Sequence, residues 1–133
     1  MELDSLKDIQ SGAYIVKHPT TGKDTDATIT LAGPEHPLRQ KIVMDRSRRI
    51  RAAVRKTGKL DVPDPTEERE EETATLAACT LGWTGLTKTG APLEFSPTAA
   101  AALYRDPELQ WLRAQIAKAL DDMELFISDS AKT

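Results

Sequence analysis

The residues most able to do chemistry in this chain are one cysteine, two histidines, a run of acids and a run of arginines. Cys79 could act as a nucleophile if a base, a cation or a helix N-terminus lowered its thiol pKa. Its neighbours are Ala, Thr and Leu, and the stretch reads as the end of a helix, where the dipole disfavours a thiolate. Cys79 is therefore expected to be a small core residue. His18 and His36 each precede a proline in loop-like sequence, with no HxxxH or HxxE spacing to gather ligands around a metal. Thr21–Lys23 and Lys88–Gly90 are turn sequences without the flanking strand and helix of a phosphate loop, and no nucleophile elbow occurs. The expectation is a non-enzymatic protein with no catalytic residue, no metal and no cofactor.

Charge is the stronger signal. Between Leu38 and Lys56 stand eight basic residues, Arg39, Lys41, Arg46, Arg48, Arg49, Arg51, Arg55 and Lys56, against one acid, Asp45. Between Asp61 and Glu72 stand seven acids against Arg69, so the two blocks nearly cancel and the net charge is only −3. The arginines could contact phosphates. No aromatic is interleaved to stack on bases, and the acidic block is close enough in sequence to lie alongside. Nucleic acid is therefore the lesser partner, behind an exposed charged helix or one electrostatic side of a protein interface.

These groups need a scaffold, and composition says which kind. At 133 residues the chain fits one domain, and with aromatics at 5% its core must come from Leu, Ile, Val and Ala. That suits packed helices with modest side chains. A lone cysteine excludes an internal disulfide and fits a reducing compartment. The first thirty residues carry charges throughout, and no apolar run reaches membrane-spanning length, so a soluble protein without a standard export signal is expected.

Residues 1–10 show no pattern and are expected to be loosely attached. "AYIVKH" and "ATITLAG", separated by "PTTGKDTD", predict a β-hairpin over 13–33 that must pack on helices or pair at another sheet edge. Pro34 and Pro37 open a helix over about 37–57 and Gly58 closes it. Val43, Ser47, Ile50 and Val54, at i, i+4, i+7 and i+11, give it a narrow apolar stripe that is expected to be its buried face. Asp64–Pro65 opens a helix predicted to run over about 65–82, acidic in its first half and apolar in its second, with Gly82 as the stop. Thr84–Phe95 reads as a compact loop, with room for a small hairpin. Ser96–Pro97 and Asp106–Pro107 open helices over about 97–104 and 107–127; in the second, Leu109, Leu112, Ile116, Leu120, Met123 and Ile127 step by threes and fours. The predicted fold is mainly α within an α+β class: an N-terminal hairpin, about four packed helices in a single domain over 11–127, and a fraying end at 128–133.

The segments "VKHPTTGKDTDATITLAGPEHP", "EEREEETATLAACTLGWTGL" and "LEFSPTAAAALYRDPELQWLRAQIAKALDDMELFI" are similar to a family of small proteins from the tail-assembly region of long-tailed bacteriophages and prophages, the tail assembly chaperones. The resemblance covers most of residues 14–127, and "AACTLGW" followed by "LYRDP" is its most specific part. It implies a mainly helical, cofactor-free protein of the host bacterial cytoplasm. Such a protein binds the tape-measure protein, keeps it soluble until tail-tube subunits polymerise around it, and is largely absent from the mature virion. The resemblance also implies a frameshift-extended form as a further partner, with the junction expected near Ala131–Lys132–Thr133.

A chaperone for an amphipathic helix needs an apolar groove with charged flanks. Leu109, Leu112, Ile116 and Leu120 are the candidates to line it, with Trp111 at its edge; the same residues would serve equally to pack the monomer core. Arg46, Arg48, Arg49 and Arg51 are the candidates to meet acidic stretches of a client. The hairpin edge is a candidate for pairing between copies, which would make a homo-oligomer. A nucleic-acid-binding accessory protein using the basic helix, and a minor structural component of the tail, are the alternatives.

Overall fold

The structure, a computed structural model, describes residues 1–60 and 64–129. Asp61 of the acidic block, Val62 and Pro63 lie outside this range, as does the expected frameshift junction at Ala131–Thr133. The class is α+β. In chain order come strands β1 (Leu6–Asp8), β2 (Ser11–Lys17) and β3 (Asp24–Ala32), helices α1 (Pro37–Thr57) and α2 (Pro65–Ala78), and strands β4 (Thr80–Thr84), β5 (Thr87–Lys88) and β6 (Ala91–Pro92). Helices α3 (Pro97–Arg105) and α4 (Gln110–Leu120) follow, and β7 (Ile127–Asp129) comes last.

β2 and β3 form an antiparallel hairpin, with Tyr14 opposite Ile29. Alternate residues of β3, Ala27, Ile29 and Leu31, point into the core, as period-two patterning requires. They meet Leu76 and Ala77 of α2, Ala100 and Tyr104 of α3, and Leu112, Ile116, Ala119 and Leu120 of α4. Helix entries follow the Ser/Asp–Pro signals: Asp64 Oδ1 accepts from Glu67 N at 2.9 Å, and Ser96 Oγ accepts from Ala99 N at 3.0 Å. Gly58, at φ 71°, closes α1 in the left-handed conformation that a side chain resists.

Three boundaries differ from the sequence expectation. The helix predicted over 65–82 stops at Ala78, and Thr80–Thr84 is a third strand antiparallel to β3, so the sheet order is β2-β3-β4. A short apolar run rich in Thr and Trp fits either period, and the unpaired edge of β3 decides the matter. Gly82 therefore faces Thr30 across the ladder instead of ending a helix.

The helix predicted over 107–127 is likewise shorter. Pro107–Leu109 is a 3-10 turn, α4 ends at Leu120, and a second 3-10 turn at Met123–Phe126 starts where Asp122 Oδ1 accepts from Glu124 N at 3.0 Å. Met123, although in phase with the stripe, lies in solvent.

Within the N-terminal ten residues and at 127–129, short strands form where no pattern was expected. β1 pairs antiparallel with β7, Leu6 with Asp129 and Asp8 with Ile127, and Ile9 N donates to Phe126 O at 2.9 Å. Strands of three residues with partners at the far end of the chain leave no local pattern to read. Gly12 allows the closure, because a Cβ there would stand 2.5 Å from Leu125 O.

Candidate functional site

Cys79 and the two histidines each stand at the end of an element. Cys79 caps α2; its N–H donates to Thr75 O at 3.0 Å and its carbonyl accepts from Ala32 N at 2.8 Å. Its side chain is buried, and that burial pushes the thiol pKa up, opposed by the charge of Arg39. A raised pKa disfavours the thiolate form. His36 is the N-cap of α1, its Nδ1 accepting from Leu38 N at 3.1 Å. His18 Nδ1 accepts from the backbone of Thr20 at 3.2 Å and of Thr21 at 3.3 Å, closing the β2–β3 turn. Among the described residues, no group of three or more His, Cys, Asp and Glu is placed to hold a metal.

The proposed client stripe splits in two. Leu112, Ile116 and Leu120 are buried in the core, Leu112 also forming part of the floor of a groove beside Leu109 and Trp111. The periodicity that marked them was the signature of the monomer's own packing. Leu109 and Trp111 stay accessible, Trp111 at 36% exposure. With Leu86, Leu93 and Leu103 they line a groove of about 480 Å³ that Lys88 and Asp106 border. Its wall is held firmly. Trp83 Nε1 donates to Leu93 O at 2.9 Å, Leu93 N donates to Leu86 O at 2.8 Å, and the Trp83 and Phe95 rings meet edge to face at 4.9 Å.

The basic helix departs most from expectation. α1 has no buried residue, and Val43, Ile50 and Val54 of its stripe are 64%, 44% and 38% exposed. The stripe predicted to be buried faces outward. α1 is held instead from the adjoining side: Ile42 packs on the core edge, and Arg39 Nη1 donates to Ala32 O at 3.2 Å and Leu120 O at 3.1 Å, its guanidinium 5.8 Å from the Phe126 ring centroid. Of the four arginines singled out, Arg49 pairs with Glu71 at 3.0 Å and Arg48 with Asp45 of its own helix at 3.8 Å. Arg46 and Arg51 are exposed and have no ion-pair partner among the described residues.

Two structural groups escaped the sequence reading. Arg113, only 5% exposed, donates to Thr73 Oγ1 at 2.5 Å, Tyr104 O at 3.1 Å and Arg69 O at 3.1 Å, and lies 3.5 Å from Glu72. It ties α2, α3 and α4 together. Gln115 grips the outer edge of β2: its Oε1 accepts from Lys17 N at 3.0 Å and its Nε2 donates to Lys17 O at 2.9 Å. β4 occupies the β3 edge of the hairpin, which leaves β2 as its outer strand.

Among the described residues no helix is long and apolar enough to cross a membrane. Compared with family models, with curated proteins and with solved structures, the chain finds no match.

Proposed function

We propose that this chain acts by binding, without catalysis or a cofactor, as a tail assembly chaperone of a long-tailed bacteriophage that keeps the tape-measure protein soluble until the tail tube grows around it. The observation that carries the proposal is the uncovered stripe of α1. A helix of 21 residues in which none is fully buried, yet which keeps three large aliphatics exposed on one line, is built to be covered by something else. A client whose helices carry long apolar stripes supplies such a cover, in the helix-in-groove manner. The groove at Leu109 and Trp111 offers a second seat for a bulky apolar side chain of the client.

The phage assignment rests on the resemblance of "AACTLGW" and "LYRDP" to the tail-assembly family, and the structure gives those motifs concrete roles. The first spans the end of α2 and the strand β4; the second ends α3 and caps the turn into α4. Co-expression with the tape-measure protein of the same phage tests the proposal. A rise in that protein's soluble fraction and a co-purifying complex are expected, and the absence of both would overturn it.

A further inference from the structure

We infer that the occupant of the α1 stripe is an amphipathic helix from another protein whose apolar seam is bordered by glutamate and aspartate, lying along α1 as in a two-stranded coiled coil. The inference rests on the binding role proposed above and names the chemistry of the partner's surface. Gln40, Val43, Ser47, Ile50, Val54 and Thr57 are separated by 3, 4, 3, 4 and 3 residues, the alternation of a coiled-coil seam. In that register Arg46 and Arg51 take the positions flanking the seam, where side chains of paired helices exchange ion pairs. Both are exposed without an ionic partner among the described residues, so the seam presents aliphatics between free positive charges.

The charges argue against the chain's own surfaces as occupant. If α1 of a second copy lay on the stripe, Arg46 and Arg51 would meet no acid in either orientation, because the flanking positions of α1 in this register are Arg39, Met44, Arg46, Arg51 and Ala53. The acidic α2 of a second copy serves no better. Its Glu70, Glu71 and Glu72 are engaged by Arg105, Arg49 and Arg113 at 3.3, 3.0 and 3.5 Å, Glu67 and Glu68 are confined to its first turn, and its apolar residues Leu76 and Ala77 are in the core, so it offers no apolar seam. Nucleic acid would satisfy the arginines but set a charged backbone against Val43, Ile50 and Val54.

The test uses the full chain and two labelled synthetic helices of about four heptads with the same Leu/Ile seam, one with Glu and one with Lys at the flanking positions. Fluorescence anisotropy should show binding of the Glu helix that weakens as salt is raised, and affinity for the Lys helix at least about tenfold lower. Ile50→Ser, and Arg46→Glu with Arg51→Glu, should each weaken the Glu helix about tenfold or more, and the double charge reversal should favour the Lys helix. Because the decisive change is made in the peptide, a misfolded variant cannot mimic the result.

Equal affinity for both helices, or binding of neither, would overturn the inference. So would a dimer of the chain alone that Ile50→Ser dissolves, since a second copy would then be the occupant. Binding of duplex DNA that needs Arg46 and Arg51 but is indifferent to Ile50→Ser would overturn it as well. Tape-measure solubilisation without preference for the Glu helix sinks only this inference, and preference for the Glu helix without solubilisation sinks only the phage role.

Discussion

Arg49 of α1 and Glu71 of α2 lie 3.0 Å apart and form, among the described residues, the one ion pair between the basic and acidic blocks. The near-cancellation of charge along the sequence is therefore not a cancellation in space. Glu70 and Glu72 turn to Arg105 and Arg113, and Arg46 and Arg51 are left facing water. The pair itself is solvent-exposed, and such pairs contribute about 0–1 kcal/mol. Arg49→Ala should accordingly lower unfolding stability by less than about 1 kcal/mol in urea titration.

Exposure of the stripe makes a sharper stability prediction. Val43→Ser and Ile50→Ser should each change stability by no more than about 0.5 kcal/mol, as surface substitutions do. Ile116→Ala, at a fully buried position of the same residue class, should cost about 2–5 kcal/mol. Denaturant midpoints of the three variants check the contrast directly.

Arg113 should be among the costliest single positions in the chain. Arg113→Ala leaves the Tyr104 and Arg69 carbonyls without its guanidinium and opens a void between three helices. A loss of about 3–5 kcal/mol is expected, measured by urea unfolding.

Tyr104 gives the protein an alkaline limit. Burial pushes its phenol up to about 12 from 10.0, against the opposing pull of the Thr80 hydroxyl, 2.7 Å away. The fold favours the neutral phenol, so above pH 10 the unfolded chain surrenders this proton first and stability falls. The contribution is whole below the unfolded pKa, declines up to the folded one, and amounts to on the order of 2–3 kcal/mol. Tyr104→Phe should flatten that decline in stability measured from pH 9 to 12.

Gly85 should not tolerate a side chain. Its φ is +79°, and an added Cβ would collide with the Asp26 carbonyl oxygen across the β3–β4 boundary. Gly85→Ala is expected to cost at least about 1–3 kcal/mol by thermal unfolding, since strain at positive φ adds to the clash.

Local chemistry made much of this legible in the sequence. The Ser/Asp–Pro pairs, Gly58 and the two β-branched runs each act within a few residues, and each marks an element where the fold has one. What could not be read depended on distant partners. Thr80–Thr84 becomes a strand only because β3 has an edge to fill, and Leu6–Asp8 only because Ile127–Asp129 comes alongside. For the surface, a periodic stripe looks the same whether it is buried or bare. Leu112, Ile116 and Leu120 and the stripe of Val43, Ile50 and Val54 both fall on one face of a helix, yet the first set packs the core and the second lies outside. The sequence signal that could have separated them is the company they keep, since arginines crowd the second stripe and alanines surround the first.

The bare stripe of α1 is the centre of the functional account, and one measurement reaches it most directly: the soluble yield of tape-measure protein co-expressed with the wild-type chain and with Val43→Glu plus Ile50→Glu. High yield and a co-purifying complex with wild type are expected, and loss of both with the variant while its own melting temperature holds. No gain in yield with wild type, or a gain undiminished by the two glutamates, would contradict the account.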